Sequence, residues 1–112
     1  SLLSYASSGE FSAELRSALE RAAALKRDYE SAQNEVNTLE TSRDRLFATQ
    51  ERIRQNLSAT GADTAQGKDY LMRLAASEKD IDEAEAGIES AMKIAEAKKA
   101  KFENYLAALV LK

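Results

Sequence analysis

The carboxylates are the first residues that could do chemistry. Asp80, Asp82, Glu83, Glu85 and Glu89 crowd one stretch of the chain. Carboxylates at that density could hold a divalent cation, or act as a general acid and base. Calcium bound by a helix–loop–helix hand needs a loop of fixed ligand spacing, and that spacing is absent. A catalytic carboxyl needs a dry pocket to move its pKa, so the elements around this stretch must decide. The sequence holds no histidine and no cysteine. That removes imidazole bases, thiolate chemistry, the usual zinc ligands and disulfides. No cofactor is expected.

Arginines are the second group. Arg43, Arg45, Arg52 and Arg54 gather in the middle of the chain, and a phosphate backbone is tracked by such patches. From Arg43 to Asp80, however, seven bases stand against six acids. The formal net charge of the whole chain is -3. Both balances argue against nucleic acid as a partner. Arg52 and Arg54 remain as a loop-end face that a partner could touch. Asn56-Leu57-Ser58 also matches a glycosylation sequon, a pattern short enough to arise by chance.

The elements that carry these groups follow from a seven-residue apolar beat that runs twice. Phe11, Ala18, Leu25, Ala32, Leu39, Leu46 and Ile53 form the first run. Leu74, Ile81, Ile88, Ala95, Phe102 and Leu109 form the second. A sustained heptad is the mark of a coiled coil. The chain contains no proline, where about five or six would be average for this length. Long unbroken helices explain that, because proline breaks them.

Punctuation sets the boundaries. Ser7, Ser8 and Gly9 read as a turn, and Ser8 or Ser12 can accept a first-turn N–H. Ser58 to Asp63 is the one convincing turn between the runs. Gly61 suits the left-handed residue past a helix end, and Asp63 with Gln66 looks like a capping box for the next helix. Gly67 then falls in the first turns of that helix, a weakness of up to ~1 kcal/mol. The expected fold is all-α: one long antiparallel two-helix hairpin. Helix one covers about 10–58, the loop about 59–63 and helix two about 64–110, as a single unit across 1–112.

The two registers support the hairpin. In an antiparallel pair a d residue faces an a residue of the partner helix. That matches Ile53 with Leu74, Leu46 with Ile81, Leu39 with Ile88, Ala32 with Ala95, Leu25 with Phe102 and Ala18 with Leu109. The reverse layers match Leu57 with Tyr70, Gln50 with Ser77, Arg43 with Ala84, Val36 with Ala91, Tyr29 with Lys98 and Ala22 with Tyr105. A parallel dimer of one continuous helix is the rival. It would carry helix through Gly61 and Gly67 and lose this matching. Outside the seam, Asp28 can meet Lys101 and Arg54 can meet Glu78, whereas Glu40 and Glu85 are like-charged neighbours.

A pairing this thin offers no pocket to the acidic stretch, which reads as a solvated helix face. Arg43 at an a position is expected to lay its stem over Ala84 and send its guanidinium to Asp44 or Asp80. Gln50 opposite Ser77 should fix the register. The ends are more promising. Leu2, Leu3, Tyr5 and Phe11 lie near one end, and Leu106, Leu109, Val110 and Leu111 near the other. A hairpin brings them together as an apolar patch wider than a two-helix seam needs. It is either a docking surface, for the rest of a parent chain or another copy, or it is covered by Leu2 to Tyr5 folding back. The opening Ser1 suggests a piece of something longer. No apolar run reaches the ~20 residues of a membrane span.

Gln50 to Leu57, followed by Tyr70-Leu71-Met72-Arg73-Leu74 and Ser77-Glu78-Lys79-Asp80-Ile81, resembles the helical segment near the C-terminus of uncharacterised bacterial proteins labelled mucoidy inhibitor A-like. The approach from Leu3 to Leu25, with Tyr5-Ala6-Ser7 and Gly9-Glu10, is also similar. Ser77 departs from the pattern, where glutamine is expected before Glu78. The resemblance implies a domain of unknown function accompanied by β-rich domains, and an envelope or periplasmic setting. It implies no catalytic residue.

The expected function is a non-catalytic spacer and protein-interaction module, with no small-molecule ligand. Alternatives are a nucleic-acid-contacting arm, or an accessory helical part of an enzyme whose active site lies elsewhere.

Overall fold

The structure, a computed structural model, describes residues 12–111, the last of these without its side chain. Two helices account for nearly all of them: α1, Ala13–Thr60, and α2, Ala65–Leu111. They pack antiparallel as a helical hairpin. Local chemistry sets both ends of α1 and the start of α2.

Ser12 caps α1. Its hydroxyl accepts the Leu15 N–H at 3.0 Å, and its carbonyl accepts the Arg16 N–H at 3.0 Å. The other expected cap, Ser8, lies outside the described residues. At the far end, Gly61 turns the chain with φ +87°. Its N–H donates to the Leu57 carbonyl at 2.8 Å, the bond of a left-handed helix terminus. Helix one therefore reaches Thr60, past the expected stop near residue 58.

The start of α2 differs from expectation. Thr64 caps it, rather than Asp63 with Gln66. The Thr64 hydroxyl accepts the Gly67 N–H at 2.8 Å and donates its own hydrogen to the Gly61 carbonyl at 3.0 Å. The Lys68 N–H donates to the Thr64 carbonyl at 3.0 Å. A hydroxyl can accept and donate at once, whereas an ionised carboxylate only accepts. Here that dual role ties the end of α1 to the start of α2.

Gly67 also differs. It is no mere weakness. It is buried, and an added Cβ would collide with the Gly61 carbonyl oxygen and crowd the Ala62 Cα at 3.0 Å. The loop passes so close to the first turn of α2 that only a hydrogen fits.

Contacts divide into two compact units, and both helices run through both. A helical hairpin touches itself only locally, so such a division is natural. In the first unit, described over 12–35 and 91–111, Ala22, Leu25 and Ala95 are buried. Tyr29 stacks on Phe102 with ring centroids 6.1 Å apart and planes within 6°. The layer pattern sets Tyr29 against Lys98 instead. Lys98 is exposed: its ammonium stays in water, and the ring packs against the aromatic neighbour one turn on. In the second unit, 36–90, Val36, Ile53, Ile81 and Ile88 are buried. Each such aliphatic side chain contributes about 1.5–3 kcal/mol. Among the described a and d positions, Lys98 alone is exposed.

Candidate interaction surfaces

The carboxylates that could do chemistry lie on the solvent face of α2. Asp80, Asp82, Glu83, Glu85 and Glu89 are all exposed. No cluster able to hold a metal ion exists among the described residues. Three- and four-residue spacings set some of them side by side, such as Glu85 and Glu89, but on an exposed helix surface rather than around a common centre.

Arg52 and Arg54 do not form one face. Two residues apart on a helix, they point about 200° from each other. Arg54 reaches Glu51 at 3.9 Å and, across the hairpin, Glu78 at 3.8 Å. Arg52 lines a shallow open groove on the opposite edge with Thr49, Arg73 and Asp80. Arg73 is itself engaged, by Asp69 at 3.0 Å and by the Tyr70 ring with centroid 5.8 Å away. The arginines are therefore partly neutralised in place. Arg43 is half-buried, and its guanidinium meets Asp44, one of its two expected partners, at 3.3 Å. Arg54 meets Glu78 as expected, whereas Asp28 and Lys101 do not form an ion pair.

The polar layer is well satisfied. Gln50 is 4% exposed and Ser77 8%. The Gln50 amide donates to the Ser77 hydroxyl at 3.1 Å and to Glu78 Oε1 at 2.7 Å. Ser77 in turn donates to the Leu74 carbonyl at 2.9 Å. No buried side-chain polar atom among the described residues lacks a partner. Such a layer orients the helices and carries no reactive group.

Apolar surface is the remaining candidate. Of the expected terminal patch, Leu106 and Leu109 are half-buried and Val110 is exposed. Leu2, Leu3, Tyr5 and Phe11, with the Leu111 side chain, lie outside the described residues. Leu19 joins this end of the molecule and is partly exposed. Sequence reasoning missed it because the patch was sought only among the residues nearest the two ends, up to Phe11 and from Leu106, and Leu19 lies further along the chain at an e position. The signal was legible: leucine at e lies beside the seam, where a simple pair prefers charge.

No family model, curated protein or solved structure matches the chain. No helix among the described residues is long and apolar enough to cross a membrane.

Proposed function

We propose that this chain is a non-catalytic helical spacer and protein-interaction module of a larger bacterial protein. One observation carries the reading. The buried a and d side chains serve helix pairing, while the carboxylates that could do chemistry are exposed and form no metal-holding cluster among the described residues. Such a molecule acts by geometry: paired helices hold a surface at a set place. The surface proposed for contact is the apolar end with Leu106, Leu109 and Val110, together with Leu2, Leu3, Tyr5, Phe11 and Leu111. The resemblance of Gln50–Leu57 and Tyr70–Leu74 to mucoidy inhibitor A-like proteins supports the bacterial parent, with an envelope setting as its corollary.

Binding to the remainder of the parent chain tests this. Wild-type protein should be retained, and the Leu106→Glu/Val110→Glu variant should lose retention while keeping its helical circular dichroism. Equal retention of both would remove the surface. Retention on heparin at moderate salt would favour a nucleic-acid-contacting arm instead.

A further inference from the structure

We propose that residues 2–6 of this same chain, which lie outside the described residues, pack into a groove at the end of the first unit, against Ala18 and Tyr105. This packing is separate from the spacer reading and does not depend on it. The seam of the first unit is unfinished at its end. Ala22, Leu25 and Ala95 are buried, whereas the outermost seam positions, Leu15, Ala18, Tyr105 and Leu109, are only half-buried. Two of these, Ala18 and Tyr105, line a groove together with Ala13, Glu14, Ser17 and Arg21. Alanine and serine keep the α1 wall low, while the tyrosine ring makes the other wall tall. Apolar surface left wet there is unfavourable, and a short apolar stretch of chain would cover it.

The chain itself supplies that stretch. Ala13 lines the groove, and Ser12 beside it is the N-cap of α1. A capping residue has non-helical backbone angles, so the chain before it departs from the helix axis at this spot. Ser7-Ser8-Gly9 then offers a reversal. Ala13 and Arg21 bound the groove, about 12 Å apart along the helix. Five extended residues cover about 16 Å, so residues 2–6 span it, running antiparallel to α1. In an extended chain Leu3 and Tyr5 share a face, and this face turns to Ala18 and Tyr105. Leu2 lies on the other face and, with Leu106 and Val110, stays available to a partner.

Composition and tether favour this occupant over a second copy. Residues 1–9 carry no charged side chain, so nothing ionised has to leave water. Tyr5 brings a large apolar ring and keeps a hydroxyl for the wet rim. A segment tied to α1 by so few residues meets the groove at an effective concentration of about millimolar. A free copy reaches that only in concentrated solution.

Cross-linking tests it, because the chain has no cysteine of its own. The full chain is made with Leu3→Cys and Ser17→Cys, and a control with Leu3→Cys and Leu19→Cys. Ser17 lines the groove, whereas Leu19, two residues on, points about 200° away. The tether to each is nearly the same length. Mild oxidation at low protein concentration follows, with circular dichroism confirming that both proteins are helical. The 3–17 pair should close within one molecule roughly tenfold or more faster than the 3–19 pair, since a disulfide needs close approach and the groove holds Leu3 on one side only. Hydrogen exchange gives a second readout. Leu3→Ser with Tyr5→Ser should speed exchange at the amides of residues 18–21 roughly fivefold or more. Equal closure rates for the two cysteine pairs, or unchanged exchange, overturn the proposal. Disulfides formed only between molecules overturn it too and assign the groove to a second copy. Each of these results leaves the spacer reading standing, because retention by the parent chain is measured separately.

Discussion

The α-carbon of Gly67 sits against the Gly61 carbonyl with no room for a methyl group between them. Gly61 makes the turn possible through its positive φ, and Gly67 makes it compact through its missing side chain. The two glycines therefore act by different physics, one conformational and the other steric.

Gly67→Ala should destabilise the hairpin by about 1–3 kcal/mol, the usual cost of overpacking, despite alanine's better helix propensity. Gly87 is the control. It lies in the same helix with open space where a Cβ would go, so Gly87→Ala should stabilise by about 0.5–1 kcal/mol. Urea melts followed by circular dichroism compare the two. Equal gains from both substitutions would mean the loop does not press on α2.

Thr64 and Asp63 make a second matched pair. Thr64→Ala removes a hydroxyl that accepts from Gly67 and donates to Gly61, which should cost about 1–2 kcal/mol. Asp63 is exposed, and Asp63→Ala should stay within about 0.5 kcal/mol of wild type. Chemical denaturation midpoints decide between them. A larger loss at Asp63 would restore the capping box that the sequence suggests.

The polar layer predicts a trade. Gln50→Leu with Ser77→Ala makes the layer apolar and should raise the unfolding midpoint, since a polar seam residue lowers stability while specifying register. The doubly substituted protein should then populate more than one helix alignment. The chain has no cysteine, so spin labels can be placed at will on Glu51 and Lys79. One sharp inter-label distance in wild type, and a broadened or second one in the variant, is the expected result.

Burial separates the apolar residues. Leu25 is 4% exposed and Met72 73%. Leu25→Ala should cost about 2–5 kcal/mol, and Met72→Ala no more than about 0.5. Thermal melts suffice, and comparable losses would contradict the layer assignment.

Much of this fold was legible because a heptad repeat writes helix pairing directly into the chain. Leu25, Val36, Ile53, Ile81, Ile88 and Ala95 are buried where the register put them. What escaped was tertiary in origin. Asp63 and Thr64 are both good caps in isolation, and only the nearby Gly61 carbonyl favours a group that can also donate. Helix propensity saw Gly67 as a weakness, because close approach of a loop is invisible to a local scale. Lys98 held a seam position by count, yet its ammonium is better solvated outside, and Phe102 took the place beside Tyr29. The proposed surface was half visible: Leu106 and Val110 were named, while Leu19 was passed over because it lies further from the chain's end than the residues that define the patch.

The Gln50 carboxamide has a further effect on assembly. Slide one helix by a heptad and this group lands opposite Ala84 or Tyr70, away from the Ser77 hydroxyl and Glu78 that now hold it. Misaligned hairpins would thus strand a thirsty amide in a dry crevice, and revert before they could persist. A single glutamine proofreads the zipper.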